Sequence, residues 1–214
     1  MAKTTAPLLG FGASGQIGKS NVHASWKGIK YTRQYVIPSN PNSAEQQLTR
    51  NIFSWLTSTW KIAPSLAQAP FTAYAKGKPL TDRNAFNKFN IAALRGATDL
   101  DDFVFSPGAH GGVPTSITSI TPAATTLTVN CALPAAPSAW TYVKTVAVCI
   151  KAQDPTMDDF WQMYAGQDLT TGYAPIITGL VTGTTYRVGA MMQWLNGLGQ
   201  EVWSPSVSQD GTTS

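Results

Sequence analysis

From Thr115 to the C-terminus the chain is a succession of short runs rich in β-branched and aromatic residues, broken by turn residues every 8–12 positions: SITSITPAATTLTVNCAL, WTYVKTVAVCIKAQ, DDFWQMYAG, YAPIITGL, TTYRVGAMMQWL and EVWSPSVSQ. Strands so short and closely spaced bury their apolar sides by stacking sheet on sheet, which predicts an all-β sandwich of about six or seven strands over residues 115–210. In TLTVNCAL, Cys131 falls on one face with Leu127, Val129 and Leu133, the spacing of a buried side. In TVAVCIK, Val146, Val148 and Ile150 read as the apolar face, which places Cys149 on the opposite side with Lys151. A disulfide between these two cysteines is not expected, and a reducing compartment is the expected place of folding.

The first half follows different periods. Val22, Trp26, Tyr31, Tyr35 and Val36 alternate with polar residues around Lys27-Gly28, the pattern of a β-hairpin. Ser43 and Gln46 form a capping-box pair, and Leu48, Ile52, Phe53, Trp55, Leu56 and Trp60 recur at helical spacing, predicting a helix over 43–62 that Pro64 stops. A shorter helical turn is expected near Phe71–Lys76. A second helix, capped by Thr81 and ended by Gly96, would carry Phe86, Phe89, Asn90 and Leu94. The expected organisation is a Gly-rich flexible arm over 1–20, a small α+β docking module of one hairpin and two helices over 21–107, a Gly/Pro linker over 108–114 and then the sandwich. Three aromatics on the first helix exceed what so small a module hides, so part of that face is expected to pack on a partner.

Charge narrows the partners. Only 12% of residues are Asp, Glu, Lys or Arg, about half the usual share, which leaves little self-repulsion between copies and suits a chain that lies against neighbours. The net charge of +4 arises before Arg95, where the only carboxylates are Glu45 and Asp82. The bases are scattered singly, so docking on an acidic protein explains them as well as phosphate contact, and nucleic acid is not the expected partner. The apolar stretch near the start is too short for a signal-peptide core or a membrane span.

Catalytic and cofactor patterns are weak. Ala13–Ser20 fits a relaxed phosphate-loop pattern, but the residues after Ser20 alternate like a strand where that chemistry needs a helix. His23 and His110 fall in different expected domains, and the acidic runs Asp99, Asp101, Asp102 and Asp158, Asp159 read as solvated turns, so no triad, metal set or cofactor is called for. Trp161, Tyr164, Trp194 and Trp203 could form an aromatic platform for sugar, which keeps a carbohydrate-binding module and a cell-surface glycan as a rival reading.

The segment GLVTGTTYRVGAMMQWLNGLGQEVWSPSVSQ resembles the end of a fibronectin type III domain, with Leu180, Gly183 and Tyr186 as fold-determining residues. The resemblance implies that the Tyr186 hydroxyl turns back to bond the backbone at the corner of an immunoglobulin-like sandwich. The string SGQIGKSNVHASWKGIKYTRQYVIPSNPNSAEQQLTRNIF, with RNAFNKFN, resembles the start of small structural proteins of tailed bacteriophages. That implies a non-enzymatic virion protein made in a bacterial cytoplasm, most readily one that decorates or cements the capsid, with a neck, tail or fibre-anchoring component as the alternative. The expected partners are the major capsid protein or other virion proteins, and further copies of the chain. The expected contact residues are Trp26, Lys27, Tyr31, Arg33 and Trp55.

Overall fold

The computed structural model describes residues 2–3 as backbone and 13–26, 28–37, 39, 42–95, 102–151, 162–170 and 172–214 in full. The architecture is mixed α+β, with three helices and mostly antiparallel sheets, and the chain divides into two compact units, Met1–Ser43 and Ala44–Ser214.

The first unit is a four-stranded antiparallel sheet of β1 (Ala2–Lys3), β2 (Gly15–Ile17), β3 (Asn21–Trp26) and β4 (Ile29–Gln34), in the order β1-β4-β3-β2. The β3–β4 hairpin closes with Trp26 opposite Ile29, and Gly28 at φ +79° supplies the left-handed turn that a side chain would resist. Gly15–Ile17, expected within a flexible arm, instead pairs with β3 as an edge strand. Ser20 N–H donates to Ile17 O at 3.3 Å, so the phosphate-loop look-alike is a strand, a turn and a strand.

The second unit begins with α1 (Ala44–Ile62), α2 (Ser65–Ala75) and α3 (Asp82–Arg95). One helix more forms than expected, because α2 continues N-terminally from the anticipated turn at Phe71 to a start just after Pro64. Asn84 N–H donates to the Thr81 hydroxyl at 3.2 Å, the cap anticipated for α3. Then come β5 (Pro107–Ala109), β6 (Ser116–Pro122), β7 (Thr126–Ala132), β8 (Thr141–Lys151), β9 (Met163–Asp168), β10 (Ile176–Thr178), β11 (Thr185–Leu195), β12 (Glu201–Pro205) and β13 (Val207–Thr212).

These strands form a small sheet, β10-β7-β6, and a large one, β5-β12-β11-β8-β9, with β13 joining β11 beyond β12. Leu127, Val129 and Ile177 of the small sheet pack against Ala147, Cys149, Val188, Ala190 and Met192 of the large one. The opposite face of the large sheet, carrying Val146, Val148, Ile150, Met163, Met191 and Trp203, packs in a second core with Trp55, Leu56, Trp60, Phe71 and Phe86 of the helices. The unit is therefore three layers deep: helices, large sheet, small sheet. Linked aromatic contacts cross the outer core, from Trp60 to Phe86 at 5.2 Å, Phe86 to Phe103 at 5.9 Å and Phe103 to Phe105 at 5.0 Å.

This division differs from the one expected at 108–114. Pro107–Ala109 is a strand on β12 rather than part of a linker, and the preceding residues are stitched to the sheet. The Ser106 hydroxyl donates to Ser204 O at 2.6 Å, the Ser206 hydroxyl accepts from Phe105 N–H and Ser106 N–H, and Asn90 of α3 exchanges hydrogen bonds with the Val104 backbone. The placement of Cys149 also needs correction. It does point away from Val148 and Ile150, but that side is the interior between the two sheets, where Cys131 also lies; both are buried free thiols.

Candidate docking surface

Across the antiparallel ladder, directly paired residues share a face. The pairs Trp26–Ile29, Ala24–Tyr31 and Val22–Arg33, with Gln16 opposite Val22 and Lys3 opposite Tyr31, therefore lie on one side of the N-terminal sheet. The other side carries Ile17, Asn21, His23, Ser25, Lys30, Thr32 and Gln34. The two faces differ: one carries the aliphatic and aromatic residues with Lys3 and Arg33 among them, and the other is polar apart from Ile17.

That apolar face is exposed at its hairpin end and half-buried at Val22, Ala24 and Tyr31. Among the described residues of Met1–Ser43 no hydrophobic side chain is buried; Trp26 is 64% exposed and Ile29 45%. The one buried side chain is His23 on the polar face, whose Nδ1 lies 2.8 Å from the Thr32 hydroxyl across the hairpin. Among the described residues this sheet buries no apolar side chain, and exposed Trp26 and Ile29 leave apolar surface in water at the hairpin end. The sequence of this unit holds five Lys or Arg, at 3, 19, 27, 30 and 33, and no Asp or Glu.

Of the expected contact residues, the structure brings Trp26, Tyr31 and Arg33 onto this face. Lys27 lies outside the described residues. Trp55 belongs elsewhere: it is buried in the helix core with its ring 6.3 Å from Phe103, because the helix face it occupies covers the large sheet of its own unit. Phe53 is the aromatic of α1 that faces outward, between Arg50 and Thr57. Val22, Ala24 and Ile29 complete the sheet face and were missed, although a two-residue loop at Lys27-Gly28 already places Trp26 opposite Ile29.

Burial pushes the Cys131 thiol up to about 11 and the Cys149 thiol up to about 12, so neither is a nucleophile near neutral pH. Desolvation raises the Asp168 carboxyl, but hydrogen bonds from the Thr170 hydroxyl, Ala174 N–H and Thr170 N–H outweigh it and hold the group below its ordinary value. That arrangement pins the turn after β9. His110 is exposed at the rim of a cavity of about 270 Å³ that Lys76, Gln200 and Glu201 also line. Among the described residues no three His, Cys, Asp or Glu side chains could hold a metal ion. Asp102 is exposed, whereas Asp99, Asp101, Asp158, Asp159 and Trp161 lie outside the described residues.

The sugar platform does not assemble from the described rings. Trp194 and Trp203 are buried on opposite faces of the large sheet, each in a separate core, and only Tyr164 is partly exposed. Among the described residues, no helix is long and apolar enough to cross a membrane. No protein-family model matches the chain, and no curated protein matches it.

Proposed function

We propose that the chain is a non-enzymatic structural protein of a tailed-phage virion, one that decorates or cements the capsid by seating the apolar face of its N-terminal sheet on the major capsid protein or another shell component. The observation that carries the docking part is the sheet of Met1–Ser43, which exposes Trp26 and Ile29 beside Tyr31 and Arg33 while burying no described hydrophobic side chain of its own. The virion setting rests on the resemblance of the N-terminal string to phage structural proteins. Residues 44–214 would then present the sandwich outward.

The fibronectin-III-like reading of that sandwich is supported by the facing of β10-β7-β6 against a sheet containing β9-β8-β11-β13, and by the corner tyrosine. Tyr186 is buried and its hydroxyl accepts from Val181 N–H at 2.9 Å. Leu180 is buried beneath it, and Gly183, at φ +68°, makes the turn into β11. A neck or tail position would use the same surface. A glycan-binding role is disfavoured by the burial of Trp194 and Trp203.

Co-sedimentation tests the reading. The purified chain and a version starting at Ala44 are each mixed with capsids of the encoding phage assembled without this protein. Stoichiometric binding by the full chain and none by the shortened one is expected. Binding by residues 44–214 alone would overturn the N-terminal docking surface, and binding to isolated tails but not capsids would move the protein to the neck or tail.

A further inference from the structure

The proposed docking reading leaves open what kind of surface the sheet meets. We infer that the occupant is a protein surface with an apolar strip that ends, about 13 Å along, in one or more carboxylates; the inference rests on the docking role proposed above.

Geometry gives the spacing. Trp26 and Ile29 pair at the hairpin end of the face, Ala24 and Tyr31 in the middle, and Val22 and Arg33 at the far end. Four residues of strand separate Trp26 from Val22, which at about 3.3 Å each is about 13 Å. Exposed Lys19, in the turn that leads into β3, stands at the same far end as Arg33. The face is thus apolar at the hairpin end, with Lys3 paired to Tyr31 midway and Arg33 at the far end.

Charge then selects among occupants. A second copy meeting the face with its own face would bring Arg33 and Lys19 against a unit of 43 residues that contains no carboxylate, so self-pairing sets like charges together with nothing to neutralise them. A single-stranded nucleic acid needs cations spaced along its backbone beside stacking rings. Here Val22, Ala24 and Ile29 fill the places between the rings, Lys3 and Arg33 are the cations that the register places on the face, and Lys30 falls on the opposite side. Aliphatic side chains gain nothing from phosphate or base edges. A protein strip with apolar residues under Trp26, Ile29 and Tyr31, and carboxylates toward Arg33, Lys19 and the position of Lys3, matches both the apolar and the cationic groups.

The experiment is a salt series of co-sedimentation with nuclease-treated capsids lacking the chain, comparing wild type, Arg33→Glu, Lys19→Glu, Arg33→Lys and Trp26→Ala. The expected result is affinity that falls as salt rises, a loss of about tenfold or more at low salt for either charge reversal, near-retention by Arg33→Lys, and a loss for Trp26→Ala that leaves the salt slope unchanged. Salt-independent binding that ignores both charge reversals but fails in Trp26→Ala would sink the acidic strip while keeping the docking role. Competition by a single-stranded oligonucleotide, or a dimer of the free chain abolished by Trp26→Ala, would assign the face to nucleic acid or to self-association and overturn the inference. Absence of wild-type binding at every salt concentration would remove the docking role and the inference with it.

Discussion

The ring of Phe105 fills the space that a side chain at position 189 would need: a Cβ on Gly189 would lie 2.2 Å from Phe105 Cδ2. Phe105 lies in the segment stitched to β12 by serine hydrogen bonds, and Gly189 is in the middle of β11, so this contact locks the outer core onto the large sheet. Gly189→Ala is expected to destabilise the fold by about 2 kcal/mol or more, since neither the ring nor the central strand can retreat. Phe105→Ala opens a cavity and costs about 3–5 kcal/mol. Because the two residues touch, the double variant should lose clearly less than the sum, measurable as a double-mutant cycle in urea.

Tyr186→Phe isolates the corner. The change leaves the ring in its buried place and removes only the acceptor for Val181 N–H, for a cost of about 1–2 kcal/mol. The check is a shift of the urea midpoint with an unchanged slope. A midpoint identical to wild type would deny the hydroxyl a structural role.

The contrast between these two contacts shows what the sequence could disclose. The Tyr186 hydrogen bond is local, five residues from its partner, and the resemblance to the end of a fibronectin type III domain, carried by Leu180, Gly183 and Tyr186, implies it. The hairpin at Lys27-Gly28, the extent of α1 and the Thr81 cap are legible because they too are local. The packing of helices on the large sheet is not local. Its signal lay in the runs TVAVCI and VGAMMQW, which are apolar on both sides of the strand and so mark a sheet buried on two faces. Reading TVAVCI as a one-sided strand sent Cys149 away from the interior, and left the helix aromatics without the sheet that covers them. It also made Trp55 a partner-contact residue when its neighbours were in its own chain.

Trp26 and Trp55 should therefore respond oppositely to truncation. Trp55→Ala removes a ring from the helix core and is expected to cost about 3 kcal/mol or more, seen as a lower melting temperature. Trp26→Ala, at an exposed position, should leave the melting temperature of the free protein within the range of ordinary surface changes, about 0.5 kcal/mol, while reducing capsid binding. Thermal melts of both variants beside the binding assay separate stability from docking.

Cutting the chain at the expected linker is predicted to fail where cutting at Ala44 succeeds. A fragment starting at Gly112 would expose Val146, Val148, Ile150, Met191 and Trp203 to water, a contiguous apolar sheet face, and should aggregate or fold poorly. Residues 44–214 keep both cores and should run as a folded species on size exclusion with the far-UV signal of a mixed α+β protein. A monomeric, cooperatively melting 112–214 fragment would mean that the helix layer is dispensable.

The two buried thiols give the fold a predictable response to alkali. Their pKa values are raised by burial, to about 11 at Cys131 and about 12 at Cys149, above the value of about 8.5 that a free thiol has in the unfolded chain. Between those limits the folded protein holds protons that the unfolded chain releases, so this contribution to stability is fully present below about pH 8.5 and is lost as pH rises through the folded values. Urea midpoints are expected to fall as pH goes from about 8.5 to about 9.5, before most tyrosines and lysines titrate. In a Cys131→Ala, Cys149→Ala variant that decline should flatten, from a lower starting stability. The same burial means that a thiol reagent should modify neither cysteine in the native protein except through unfolding, and both once urea opens the space between the sheets. Rapid native labelling, or an equal decline in the cysteine-free variant, would place the thiols outside the core.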